Sequence, residues 1–255
     1  VFGDPGAGGA GLVSADPPMS RRVVTLRPGV ALVQEDPWFP LGQDTLLLAR
    51  FAAERARGRG LDLGCGQGFL AILTALRRPG LTLEGLECFP EAAALAAENA
   101  RRAGLALPVT VGDAEALPGS LHGRFDFVLC NPPYFRPGTG KIAPNPARAA
   151  ARTGTESGLG AFLRGAFLAL KTGGKLFVCF PAGEGAALFS ALEQNRLALK
   201  RLRPVYPGPD KPAYLLLAEA VKDGGEGMVL LPPLFLRDGA GQYTREYREI
   251  CEESS

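Results

Sequence analysis

Apolar and polar positions change period repeatedly along the chain, and each change marks an element. "RGLDLGCG" (59–66) is a short apolar strand running into glycines, and "GFLAILTALRR" (68–78) follows with helical spacing and a basic last turn. "LTLEGLE" (81–87) is the next strand. "PEAAALAAENARRAG" (90–104) is an Ala-rich helix that opens with Pro and closes at Gly. "PVTVGD" (108–113) and "FDFVLCN" (125–131) add two strands, residues 158–171 a helix, and "KLFVCFP" (175–181) another strand. A helix near 184–196 precedes two strand-like runs, 198–206 and 213–221, and Arg21–Leu26 is strand-like near the start.

Strands alternating with helices predict an α/β fold with a doubly wound, mainly parallel sheet covered on both faces. The last two runs are joined by "YPGPDKPA", too short for a helical crossover, so they should pair as an antiparallel C-terminal hairpin. Sheets of this kind bind ligands at the carboxyl ends of their strands.

Length and composition set bounds on this picture. A chain of 255 residues with 46% apolar content suits one α/β domain, expected over 21–255. Residues 1–20 are rich in Gly, Pro and Ala and read as a flexible leader, with Met19 as a candidate start. No apolar run approaches the ~20 residues of a membrane helix. The first residues lack the order of a signal peptide, so a cytoplasmic protein is expected. Cys65, Cys88, Cys130, Cys179 and Cys251 form no C-x-x-C pair, and four of them lie in or beside apolar runs where Cys acts as a small buried residue. The single histidine, His122, excludes multi-histidine metal sites, and no metal is expected.

The net charge of +2 hides two basic clusters. Arg136, Lys141, Arg148 and Arg152 form one; Arg196, Lys200, Arg201 and Arg203 form the other, and either can be a polyanion track or a solvated face.

The strand ends carry the candidate chemistry. Gly64, Gly66 and Gly68 form G-x-G-x-G between a strand and a helix, where glycine lets backbone approach a ligand closely. A dinucleotide loop would need glycine at position 69, occupied by Phe69, so no pyrophosphate site is indicated. Glu87 ends the next strand, about 20 residues on, where an acid can accept from ribose hydroxyls. Asp113 ends the third strand and is either an Asx turn or an acceptor for an amino group, with Ala114 beside it. The fourth strand breaks into Asn131-Pro132-Pro133-Tyr134. Two prolines supply no N–H and fix a stiff segment between an amide and an aromatic ring.

"LDLGCGQG", Glu87, Asp113 and "NPPY" resemble, in order and spacing, the motifs of class I S-adenosylmethionine-dependent methyltransferases, and among them the amino-methyltransferases. "FPLGQDTLLLARFA" (39–52), the Arg-bearing loop 136–153 and "GQYTREYREI" (241–250) are similar to bacterial adenine-N6 methyltransferases that act beside the anticodon of a valine tRNA. The resemblance covers about residues 20–250. It implies a seven-stranded Rossmann-like sheet, S-adenosyl-L-methionine as cofactor, and RNA, most of all tRNA, as partner. It also implies that Gly64, Cys65, Gly66 and Gly68 lie beneath the cofactor, with Asp62 ordering the loop or meeting the amino group through water. Glu87 would take the ribose hydroxyls, Cys88 and Ala114 flank the adenine, and Asp113 bond its amino group. Gln43 and Asp44 would close the methionine end, or serve simply as a helix N-cap. Asn131 and Pro132, held by Pro133, would accept from the target amine, and Tyr134 with Phe135 would stack a flipped base. Arg136, Lys141, Arg148 and Arg152 would hold RNA backbone. Asn-Pro-Pro-Tyr also serves enzymes that methylate glutamine amides in proteins. A cofactor-binding RNA module without turnover is the other alternative.

Overall fold

A computed structural model of the protein describes residues 20–27, 29–36, 38–132 and 156–252. The expected leader before Ser20, with Met19, lies outside them, as does every residue from Pro133 to Thr155. The chain opens with a hairpin, β1 (Arg21–Arg27) and β2 (Val30–Glu35), then α1 (Gln43–Arg55). Next come β3 (Arg59–Leu63), α2 (Phe69–Arg77), β4 (Thr82–Glu87), α3 (Pro90–Arg102) and β5 (Val109–Val111). A single 3₁₀ turn, Gly119–Leu121, leads into β6 (Phe125–Cys130). Then follow α4 (Glu156–Ala169), β7 (Leu170–Pro181), α5 (Gly185–Gln194), β8 (Leu197–Tyr206) and β9 (Leu215–Lys222). Two-residue strands β10 (Val229–Leu230) and β11 (Leu234–Phe235) precede α6 (Arg245–Glu252).

The main sheet runs β10-β8-β9-β7-β6-β3-β4-β5, with β11 also on β8. β3, β4, β5, β6 and β7 are mutually parallel, while β9 is antiparallel to both β7 and β8. This is the expected doubly wound sheet with its antiparallel C-terminal hairpin. Seven strands, β3 to β9, carry it, and β10 and β11 widen the β8 edge beyond the seven expected. The helix expected over 158–171 ends at Ala169, because Leu170 already pairs with Phe125 across a register shift that Gly173, at φ 76°, helps to turn.

Both faces are covered. Along β6, Phe127 and Leu129 face one cluster with Leu48, Phe51 and Ile72, whereas Val128 and Cys130 face another with Leu163, Ala166 and Leu188. That period of two on a wholly buried strand explains the unbroken apolar run "FVLC". Phe127 and Phe177 meet edge to face, ring centroids 6.2 Å apart, and each is fully buried. Burial of that kind contributes roughly 1.5–3 kcal/mol per side chain.

The β1–β2 hairpin is fastened by amides rather than by an apolar face alone. Asn99 of α3, fully buried, accepts from the Val33 N–H (2.7 Å) and donates to the Val33 carbonyl (2.9 Å) and the Gln67 carbonyl (3.0 Å). Gln67 accepts from the Glu35 N–H (2.8 Å) and donates to the Phe39 carbonyl (2.9 Å). Replacing Asn99 by Leu leaves three backbone groups, the Val33 N–H and carbonyl and the Gln67 carbonyl, without these partners. The expected loss is about 2–4 kcal/mol, at ~1–3 per stranded group with partial relief by water. Urea unfolding measures it, and hydrogen exchange should show the hairpin amides opening before those of β3 and β6.

Candidate active site

The carboxyl ends of β3, β4, β5 and β6 meet at one edge of the sheet, bringing together Gly64–Gly68, Glu87, Asp113 and Asn131. The glycine loop is a reversal from β3 into α2. Gly64, Gly66 and Gly68 take φ of 74°, 52° and 83°, left-handed values that other residues adopt only with strain. A Cβ at Gly68 would lie 3.1 Å from Ala96 Cα on α3, whereas one at Gly66 would meet nothing within 4 Å. The loop is therefore packed on one side and open on the other.

Four of its five amides are already spent. The Gly64 and Cys65 N–H groups both donate to the Leu86 carbonyl (2.9 Å each), Gly68 donates to the Cys65 carbonyl (2.8 Å), and Gly66 donates to Glu87 Oε2 (2.8 Å). A phosphate loop works by aiming such donors at its ligand. This one offers a ligand its shape and surrounding acids instead, as suits a cationic or zwitterionic group without phosphate.

Glu87 is nearly buried; its Oε1 accepts from the Phe89 N–H (3.1 Å) and the Cys88 thiol (3.3 Å). A carboxylate has about four acceptor sites, and Gly66, Phe89 and Cys88 occupy three, so one remains for a ligand hydroxyl. Cys88 is exposed, and partial desolvation and the Glu87 charge push its thiol up to about 12, leaving no nucleophilic thiolate. Asp113 is exposed and accepts from the Glu115 N–H (2.8 Å), forming an Asx turn beside the buried Ala114.

Asp62, only 1% exposed, accepts from the Ala71 N–H at 3.0 Å and so caps the first turn of α2 from beneath. This contact holds the first turn of α2, just past the loop that Asp62 was expected to order. Gln43 donates to the Tyr247 hydroxyl (2.8 Å) of α6, a tie between α1 and the C-terminal helix. Asp44 lies close enough to Cys179 that its charge, after burial, raises that thiol well above its ordinary value.

Asn131 follows β6 with its amide between two side chains that the sequence reading did not single out for the site. Its Nδ2 donates to Thr45 Oγ1 of α1 (3.4 Å), and its Oδ1 accepts from the Cys179 thiol of β7 (3.1 Å). Pro132 is buried next to it. Pro133, Tyr134, Phe135, Arg136, Lys141, Arg148 and Arg152 lie outside the described residues. Trp38 and Phe89 also meet near Glu87, ring centroids 5.1 Å apart. Among the described residues no group of three or more His, Cys, Asp or Glu side chains is arranged to hold a metal, and no helix is long and apolar enough to cross a membrane.

The second basic cluster is tied into the fold. Arg196 pairs with Asp223 (2.6 Å), Arg201 with Glu54 (2.8 Å) and buried Glu219 (3.1 Å), and Arg203 with Glu246 (2.8 Å). Lys200 donates to the carbonyls of Glu226 (2.9 Å) and Gly227 (3.3 Å). Each of these cations has a protein partner, and Arg201 and Arg203 are largely covered as well.

Asp62 gives the site a pH dependence. Burial first, and then the Glu87 charge, raise its pKa from 3.8 to about 7 against the pull of the Ala71 bond. The folded protein therefore holds a proton there that the unfolded chain has released, so the stability contribution is whole below pH 3.8 and is lost as pH rises through about 7. Asp62→Asn is neutral throughout and escapes that loss. Urea unfolding from pH 5 to pH 8 should show the variant gaining a few kcal/mol on the parent, whatever their constant offset. Parallel curves would place the Asp62 pKa near its ordinary value.

The Methyltransferase small domain family matches residues 42–194, more than half of the chain, including the glycine loop and all four strand ends. A tRNA1(Val) (adenine(37)-N6)-methyltransferase of Vibrio vulnificus is 30% identical over 180 residues, covering 71% of this chain and 74% of that one. A protein of the same name from Porphyromonas gingivalis is 28% identical over 223 residues, covering 83% and 87%. Among solved structures, a predicted O-methyltransferase from Agrobacterium tumefaciens shares the fold, with a TM-score of 0.66 at 20% identity over 84% of this chain and 97% of that one. Taken with the strand order and the spent amides of the glycine loop, the match makes the chain an S-adenosylmethionine-dependent methyltransferase, and it belongs to the Methyltransferase small domain family.

Proposed function

We propose that the protein methylates the N6 amino group of an adenine in tRNA, in the cytoplasm. The observation that carries this reading is the Asn131 amide, presented at the end of β6 beside the glycine loop, with its oxygen fixed by Cys179 and its nitrogen by Thr45. The names of the relatives from Vibrio vulnificus and Porphyromonas gingivalis supply the substrate class.

S-adenosylmethionine, when bound, supplies a methyl group already activated by its sulfonium. The chain's part is to hold it and to aim a nitrogen lone pair. Glu87 accepts from the ribose hydroxyls, Asp113 and the Ala114 N–H read the adenine edge, and the open side of Gly64–Gly68 lies beneath the rest. Gln43 and Asp44 border the methionine end from α1. An aromatic amine is a poor nucleophile because its lone pair is delocalised into the ring. Asn131 Oδ1 and the Pro132 carbonyl accept its two N–H bonds and favour the pyramidal nitrogen that attacks. No strong base is required. Pro133 stiffens the pair of acceptors, Tyr134 and Phe135 stack the flipped base, and Arg136, Lys141, Arg148 and Arg152 hold phosphates.

Transfer of labelled methyl groups to unmodified tRNA, followed by nucleoside analysis, tests the reading: N6-methyladenosine should appear. Label in protein glutamine and not in RNA would overturn it. Asn131→Ala should lower the rate by ~10²–10³, the usual cost of one such acceptor, while affinity for the demethylated cofactor stays within a few-fold. Reversing Arg148 and Arg152 to Glu should raise KM for tRNA and flatten its salt dependence without altering cofactor affinity; kinetics at two salt concentrations check it.

A further inference from the structure

We propose that Cys179 is a positioning residue: its thiol proton decides which end of the Asn131 amide faces the acceptor nitrogen. The inference rests on the amino-methyl transfer just proposed and adds a residue to it.

The placement follows from the sheet. β6 and β7 are parallel, with Cys130 opposite Val178, so Asn131 and Cys179 are neighbours one step further on. Alternation of the pleat sends both toward the α1 face, as it does Leu129 and Phe177 two residues earlier. Thr45 reaches them from α1.

The chemistry of the three groups favours the arrangement seen. Cys179 is fully buried, and burial with the Asp44 charge keeps it a thiol, so what it offers Asn131 is a donor. The amide oxygen accepts that proton at 3.1 Å, and the amide nitrogen is left to donate to the Thr45 hydroxyl at 3.4 Å. A flipped amide would set its N–H against sulfur, a weak acceptor, and so give up the S–H···O bond for a poorer one. An amide oxygen has two lone pairs. One is held by Cys179, and the other stays available for an N–H of the substrate amine. At 3.4 Å the Thr45 contact is the weaker of the two, so the thiol carries most of the orientation.

The test compares Cys179→Ala and Cys179→Ser with the parent, using whichever acceptor the parent methylates, tRNA or a glutamine peptide. Serine keeps a donor in nearly the same volume; alanine removes it. The expected result is a kcat about tenfold lower for alanine, with KM for the acceptor and affinity for the demethylated cofactor little changed, and restoration of kcat by serine. Equal losses in the two variants would make Cys179 a packing residue, and full kcat in alanine would give it no part; either result overturns the proposal. The side-chain amide signals of Asn131 in ¹⁵N–¹H spectra give a readout that needs no turnover. They should shift in the alanine variant and stay near the parent positions in serine, and an unmoved pair in alanine also overturns the proposal. If the parent itself leaves tRNA unmethylated, the substrate reading fails, and these comparisons still decide the role of Cys179.

Discussion

The chain must turn from β3 into α2 within Gly64–Gly68, and three of those five residues take left-handed backbone angles to do so. Much else follows from that constraint. Because the loop folds back on β4, its N–H groups are taken by Leu86, Glu87 and Cys65, and none of those four remains to cradle a phosphate. Because Gly68 lies against the backbone of Ala96, α3 must approach closely and is built from small residues. Because Glu87 accepts from Gly66, the acid at the end of β4 and the glycine loop are one hydrogen-bonded unit. The helix begins over a buried carboxylate, Asp62, which is costly to ionise there and serves chiefly through its bond to Ala71.

The same loop fastens the start of the described chain. Gln67 and Asn99 give four of their five bonds to the backbone of Val33, Glu35 and Phe39, placing the β1–β2 hairpin and the segment into α1 against the glycine turn. Buried amides are stabilising only when satisfied, so this arrangement has one register. It brings α1 to the sheet edge at a fixed height, with Thr45 level with Asn131. Stability and site geometry therefore share residues.

The run from β3 to β6 was legible in the sequence because local signals coincided there: glycine spacing, an Ala-rich helix with Pro at its start, and apolar runs ended by polar residues. The signals fail where a partner is distant in the chain. Arg201 looked like part of a free basic patch, yet its acids are Glu54 and Glu219, 147 and 18 residues away. Helix α6 places Tyr247 and Ile250 three residues apart on one face, but at eight residues and amid charges the stripe is too short to stand out. Strands β10 and β11, at two residues each, are too short to show any. At the site, Cys179 reads as one more small apolar residue in "KLFVCFP", and nothing local shows that its thiol meets Asn131. Asn99 did carry a signal, an amide in the middle of an alanine-rich helix, whose meaning depended on Val33 sixty-six residues earlier.

The acid-lined edge also gives a reason for an amide at position 131. Asp44, Asp62, Glu87 and Asp113 already stand at or beneath it. A fifth carboxylate there would be disfavoured in its charged form by like charges and by the apolar strand end. An amide keeps an acceptor oxygen at every pH, at the cost of an orientation that must be fixed from outside. Thr45 and Cys179 supply that orientation with uncharged groups, one accepting and one donating, and so add no further charge to the edge. A neutral acceptor with a chosen face suits a transfer in which the protein aims a lone pair and removes no proton to begin it.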